Sequence, residues 1–172
     1  MSSNFKQIAP VEIQGNVFKL LGSDWMLISA GDIKSFNMMN ASWGGMGVLW
    51  QKNICICFIR PPRYTFGFVN KADYFTLSFF EEKYREAMRF CGTHSGKDVD
   101  KVKATGLTPM STPHGSVSFE EASLIMECRK LYFHDIQPER FLVPEIEEHY
   151  PEKDYHRMFI GEAVSCLVKK GA

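Results

Sequence analysis

The chain has 172 residues, 45% hydrophobic, 13% aromatic and 23% charged, enough apolar material for one domain with a sizeable core and no stretch poor enough to stay disordered. Twenty basic residues balance twenty acidic ones, which removes the field that gathers nucleic acid or an anionic membrane surface. No apolar run approaches the roughly 20 residues that cross a bilayer, and Met1-Ser2-Ser3-Asn4-Phe5-Lys6-Gln7 has no signal core; a cytoplasmic single domain over residues 1–172, without nucleic-acid or membrane partners, is expected.

In chain order, Trp25-Met26-Leu27-Ile28-Ser29-Ala30, closed by Gly31-Asp32, reads as a buried strand. Phe36 to Ser42 and Gly47 to Trp50 are read as two further strands linked by Gly44-Gly45, and Ile54 to Ile59 as another, stopped by Arg60-Pro61-Pro62. Tyr74 to Phe80 has strand composition, whereas Tyr84, Ala87, Met88 and Phe90 fall at helical spacing within Glu81 to Phe90. A second short helix is expected over Ser95 to Gly106, with Gly106 as its cap. Ala122 to Phe133 and Met158 to Val168 carry β character, and Pro138 to Asp154, with three prolines, reads as helix plus loop. Many strands with few, short helices point to a mainly β, antiparallel barrel rather than a doubly wound parallel sheet.

Several catalytic signatures fail on spacing. Gly92-Thr93-His94-Ser95-Gly96-Lys97-Asp98 resembles a Walker loop, but its glycines are one residue too close and Asp98 replaces the metal-binding hydroxyl. Gly45-Met46-Gly47 begins a dinucleotide-type glycine pattern, but Trp50 stands where the third glycine belongs. The five histidines show no HExxH spacing, so no metal site is expected. Five cysteines lack any CxxC pair, and Cys55 and Cys57 sit in an Ile/Phe-rich strand; free thiols packed as small hydrophobes are expected. No GxSxG elbow is present, and Glu145 to Glu148 reads as a solvated helical face.

Three polar segments remain between β-rich runs. Asn37 to Gly45 carries amides and small residues that allow close approach to a planar ligand. Arg60-Pro61-Pro62-Arg63-Tyr64-Thr65 is a stiff turn bearing two guanidiniums, a phenol and a hydroxyl, donors suited to phosphate. Cys91 to Lys101 adds hydroxyls, backbone amides and two lysines near a helix start. Together they offer donors for an anionic, aromatic cofactor, although each alone is more often a surface turn.

At these residues the chain resembles the flavin reductase-like family, the flavoredoxin-type FMN-binding split β-barrels. The resemblance lies in Asn40-Ala41-Ser42-Trp43-Gly44-Gly45, in Arg60-Pro61-x-Arg63-Tyr64-Thr65, and in Ser95-Gly96-Lys97-Asp98-x-Asp100-Lys101 followed by Gly106-Leu107-Thr108-Pro109, with an echo in His156-Arg157-Met158-Phe159-Ile160-Gly161-Glu162. The chain departs from many relatives at Asn40 (threonine), Asn53 (proline) and Lys97 (arginine). The resemblance implies a split-barrel homodimer with FMN near the subunit interface. Asn40, Ala41, Ser42 and Trp43 would line the flavin, Arg60, Tyr64 and Thr65 would contact ring or phosphate, and Ser95, Lys97 and Lys101 would extend the anion site. No protein residue need be catalytic, because the flavin carries the redox chemistry. The expected activity is that of an FMN oxidoreductase reduced by NADH or NADPH. Two alternatives stay open: an electron carrier serving a redox protein partner, and a non-enzymatic binding barrel.

Overall fold

Apolar runs of β-branched and aromatic composition, most of them buried on both faces, set the strands. The computed structural model describes residues 4–171. Among these, the strands are β1 Phe5–Ile8, β2 Met26–Asp32, β3 Ser35–Ala41, β4 Gly44–Leu49, β5 Lys52–Ile59, β6 Tyr74–Phe79, β7 Pro109–Ser111, β8 Val117–Phe119, β9 Leu124–Asp135 and β10 Arg157–Lys169. The α-helices are α1 Val17–Lys19, running into a π turn over Leu20–Asp24, α2 Tyr64–Lys71, α3 Arg85–Thr93 and α4 Lys101–Thr105. None is long and apolar enough to cross a membrane.

The main sheet runs β3-β2-β6-β9-β10-β5-β4, every neighbour antiparallel, and β7-β8 form a separate hairpin. Strand β10 is shared: Arg157 to Glu162 pair with β5, whereas Cys166 to Lys169 pair with β1. Its register against β9 shifts between Ile160 and Gly161 and again between Ala163 and Ser165. Such bulges bend and twist a strand, which lets one strand serve two partners. On β2, Met26, Ile28 and Ala30 enter one apolar cluster while Leu27 enters a second, beneath α3 and α4. Burial on both faces explains why Trp25 to Ala30 shows no alternation.

The long strands stand close to their expected places, and Gly106 ends α4 at φ 70°. Three local expectations change. Gly44-Gly45 opens β4 instead of turning; the hairpin turns at Trp50-Gln51, with φ of 51° and 58°, the two-residue geometry that follows strand twist. Ser95 to Asp100 is a turn and only Lys101–Thr105 is helical, because the Asp100 side chain accepts from the Lys103 amide and caps the helix there. Pro138 to Asp154 holds two 3-10 turns, Pro138–Arg140 and Pro144–His149. Helix α2 has no signature of its own, since aromatic, β-branched and glycine residues are modest helix formers. It is held by burial of Thr65 and Val69, with Phe66 and Phe68 against the core.

All five cysteines are buried free thiols. Burial raises the Cys57 thiol above its ordinary value, with Cys55 adding to the effect. No cluster able to hold a metal occurs among the described residues.

Gly161 is the tightest point of the shared strand. A Cβ added there would lie 2.8 Å from Cys128 Cβ and from Phe75 Cε1 and Cζ. Gly161→Ala should therefore cost about 1–3 kcal/mol by overpacking, read as a lower urea midpoint; an unchanged midpoint would contradict this account of the core.

Candidate functional site

Three chain reversals meet at one end of the sheet. After β3, Ser42 and Trp43 lead into β4; after β5, Arg60 to Arg63 lead into α2; after α3, residues 94–100 lead into α4. Side chains at such reversals are free of the ladder and can point at a ligand. One depression of about 200 Å³ is lined by Met39 to Trp43, Phe58, Arg60, Arg63 and His156. A second, of about 210 Å³, is lined by Asn37, Pro62 to Thr65, Gly92 to Gly96 and Lys101. Arg63 belongs to both, and so joins the β3 end to the 94–100 turn.

Two of the site's cations, Lys101 and Arg63, make no ion pair among the described residues. Lys101 is only 5% exposed, and its ammonium donates to the carbonyls of Met38 at 2.8 Å and Cys91 at 2.9 Å. Burial, with Arg63 adding repulsion, brings its pKa down to about 8 against an attraction from Cys91. Arg63 donates to the Gly92 carbonyl at 2.9 Å. Burial, and then Arg60, push its pKa down too. Arg60 differs: it forks onto Asp154 at 2.9 and 3.1 Å, donates to the His149 carbonyl at 2.7 Å, and lies over the Tyr150 ring. Its charge is therefore already matched, whereas those of Arg63 and Lys101 rest on backbone carbonyls.

The polar floor is equally specific. Asn37 donates to the Thr65 hydroxyl at 2.8 Å, both residues being buried. Thr65 thus accepts from Asn37 and keeps its own proton to donate. A Cβ on Gly96 would collide with the Asn37 side-chain amide, so a larger residue there would have to displace the group that bonds Thr65. Helix α2 starts beside this floor with no side chain capping it, and helix starts favour anions. Asn40 Oδ1 is buried without a hydrogen-bond partner among the described residues. Trp43 is 42% exposed and its ring lies 4.9 Å from that of His156.

His156 Nδ1 and the Tyr150 hydroxyl are 2.9 Å apart. Burial first, and Arg60 next, lower the imidazole pKa to about 4 against an attraction from Asp154. It is neutral at neutral pH.

The structure brings the ten expected site residues to this end of the sheet. Asn40, Ala41, Ser42, Trp43 and Arg60 line the first depression; Tyr64, Thr65, Ser95 and Lys101 line the second. Lys97 stands just outside, its ammonium 5.6 Å from the Tyr64 ring centre. Asn37, Arg63 and His156 join them without having been singled out as ligand contacts. Arg63 was visible as the second arginine of its motif and His156 as the head of the C-terminal echo; Asn37 had no signal beyond its amide.

The flavin reductase-like domain family matches residues 19–172, and the chain belongs to that family. Its mostly antiparallel sheet with few helices is the split-barrel fold. It is similar to the FMN-binding protein from Thermus thermophilus, crystallised with 1-cyclohex-2-enone, at 22% identity and TM-score 0.69, over 95% of this chain and 82% of that one. It also resembles flavoredoxin of Desulfovibrio vulgaris (Miyazaki F), at 24% identity and TM-score 0.66, over 85% and 69%. A split-barrel-domain protein from Shewanella frigidimarina aligns at 19% identity and TM-score 0.68, over 90% and 73%. The comparison with curated proteins finds no match.

The lowered His156 pKa has a definite sign. Between pH 6.5 and about 4 the unfolded chain takes up a proton that the folded one refuses, so stability is lost as pH falls through that window. The urea midpoint should drop across it and His156→Phe should flatten the drop; an equally steep fall in the variant would contradict the assignment.

Proposed function

We propose that the chain binds FMN across the two depressions and acts as an FMN oxidoreductase reduced by NADH or NADPH. The observation that carries this reading is the pair Arg63 and Lys101, both desolvated and neither ion-paired among the described residues, beside a buried oxygen of Asn40 that has no hydrogen-bond partner among them. Desolvated cations and an orphaned acceptor are costly unless a ligand answers them. A phosphate answers the first and a ring N–H the second.

On this reading Arg63, the Thr65 hydroxyl and the start of α2 hold the phosphate, and Lys101 adds charge from beneath. Asn40 accepts from the ring edge, Ala41 and Ser42 permit close approach, and Trp43 with neutral His156 covers the ring and excludes water. Bound FMN would supply hydride and electron transfer, which explains why no acid–base triad is needed. Arg60 shapes the wall through Asp154 rather than binding the phosphate. The flavoredoxin and FMN-binding neighbours agree with this cofactor.

We further propose a cytoplasmic homodimer. The β4–β5 hairpin exposes Val48, Leu49 and Trp50, and the Trp50 ring centre lies 6.2 Å from that of the exposed Tyr132. Together these form the apolar face that a second copy would cover.

Titration of the purified protein with FMN, followed by absorbance, tests the cofactor. Arg63→Ala should weaken binding about tenfold or more, the worth of one sheltered charge-assisted contact. Arg60→Ala should weaken it less. A colourless protein that takes up no FMN would end the proposal, and a loaded protein oxidising neither NADH nor NADPH would leave only the electron-carrier role.

Lys101 adds a pH signature. Its pKa is lowered from 10.5 to about 8, so without ligand the folded chain gains stability as pH rises from about 8 to 10.5, where the unfolded chain still holds the proton. FMN affinity should fall over the same range as the ammonium is lost, and Lys101→Met should abolish that fall; a pH-independent affinity would show that Lys101 is only a strut.

A further inference from the structure

The buried pair behind Trp43 does more than line a wall. Tyr150 is 4% exposed, and its hydroxyl lies 2.9 Å from Nδ1 of His156, itself 9% exposed. A buried phenol needs a hydrogen-bond partner, and any carbonyl would satisfy it; an imidazole can also keep the proton. The other tyrosine contacts of this kind differ. Tyr74 and Tyr132 meet His114 and His134 by ring stacking, and Tyr155 gives its hydroxyl to the Glu147 carboxylate.

Two neighbours decide what the pair can do. The His156 ring lies 4.9 Å from that of Trp43, which lines the first depression, so an unbroken run of rings leads from that depression to Tyr150. The Arg60 guanidinium lies 5.2 Å from the Tyr150 ring centre. Positive charge left on that ring would be repelled by the guanidinium, so loss of an electron is favoured only when the phenolic proton departs with it. Nδ1 of His156 is within the reach required of a proton acceptor. The imidazole is uncharged at neutral pH and free to take the proton, because burial and then Arg60 hold its pKa down to about 4 against the attraction of Asp154. The same repulsion sends the proton back once the ring is reduced.

We propose that Tyr150 is a one-electron donor to the first depression, with Trp43 as the electron path and His156 as the acceptor of its proton. One electron leaves Tyr150 for a one-electron oxidant seated against Trp43, the phenolic O–H bond breaks, and the proton stays on Nδ1. The products are a neutral tyrosyl radical, an imidazolium and the oxidant reduced by one electron; return of one electron and that proton restores the pair. The oxidant is a strong outer-sphere acceptor of the class of a photo-generated metal polypyridyl complex. The inference goes beyond the FMN reading and does not depend on it.

The test photo-oxidises the purified chain, free of flavin, with ruthenium tris(bipyridine) and persulfate as terminal acceptor, followed by electron paramagnetic resonance. A long-lived tyrosyl component is expected that Tyr150→Phe removes. His156→Gln, which keeps a hydrogen-bond acceptor but no base, should lose the same component, as should His156→Phe, and urea midpoints show which variants are folded. The component should form more slowly in Trp43→Phe and, in the unsubstituted chain, more slowly in deuterated water. An equal signal in Tyr150→Phe or in either folded His156 variant, or an unchanged rate in Trp43→Phe or in deuterated water, would each overturn the proposal. Because no flavin enters this experiment, its failure would leave the cofactor reading to the FMN titration.

Discussion

Positive charge buried without a counter-charge is the constraint on which this end of the molecule depends. The Lys101 ammonium is fixed by the carbonyls of Met38 on β3 and Cys91 on α3, so one side chain ties the sheet, the helix and the turn between α3 and α4 into one unit. Removing an ion from water costs on the order of several kcal/mol even after relaxation, and two backbone carbonyls offset only part of that. Arg63, held by one carbonyl across the way, adds a second charge of the same kind. Arg63 and Lys101 are the pair of cations that a phosphate would complete under the proposed function.

The two arginines of one short turn illustrate how the local partner decides the role. They are three residues apart on either side of a Pro-Pro pair, and nothing in the turn itself separates them. Arg60 reaches back to Asp154, just before β10, and becomes part of the wall. Arg63 reaches forward to the end of α3 and remains electrostatically open. The same logic applies to His156: close to Arg60 and buried under Trp43, it is held neutral, an uncharged wall and not a proton donor near neutrality.

The architecture serves this arrangement through β10. Its N-terminal half pairs with β5 and its C-terminal end with β1, so the strand that begins beside the site also spans the sheet. The bulges against β9 and the absent side chain at Gly161 permit the bend. Sheet curvature then brings the ends of β3 and β5, which are not neighbours in the sheet order, to a common rim.

Much of the fold was legible in the linear chain, because strand signals are local: the apolar runs of β2, β5, β6, β9 and β10 state their own burial. So were the three segments of the candidate site, since their glycines, prolines and cations are residues a strand excludes. Helix α2 was not legible, because its Thr65, Val69 and Phe66 become helical only by packing against strands far away in sequence. The turn at Trp50-Gln51 was hidden for a related reason: strand twist imposes left-handed backbone on residues that do not prefer it. What the sequence by itself determined was therefore the fold class and the chemical kinds present at the site. Which cation is matched and which is left open, Arg60 or Arg63, was decided only in three dimensions, since the partners Asp154 and the Gly92 carbonyl lie 94 and 29 residues distant in the chain and no local pattern records which arginine will find the acid.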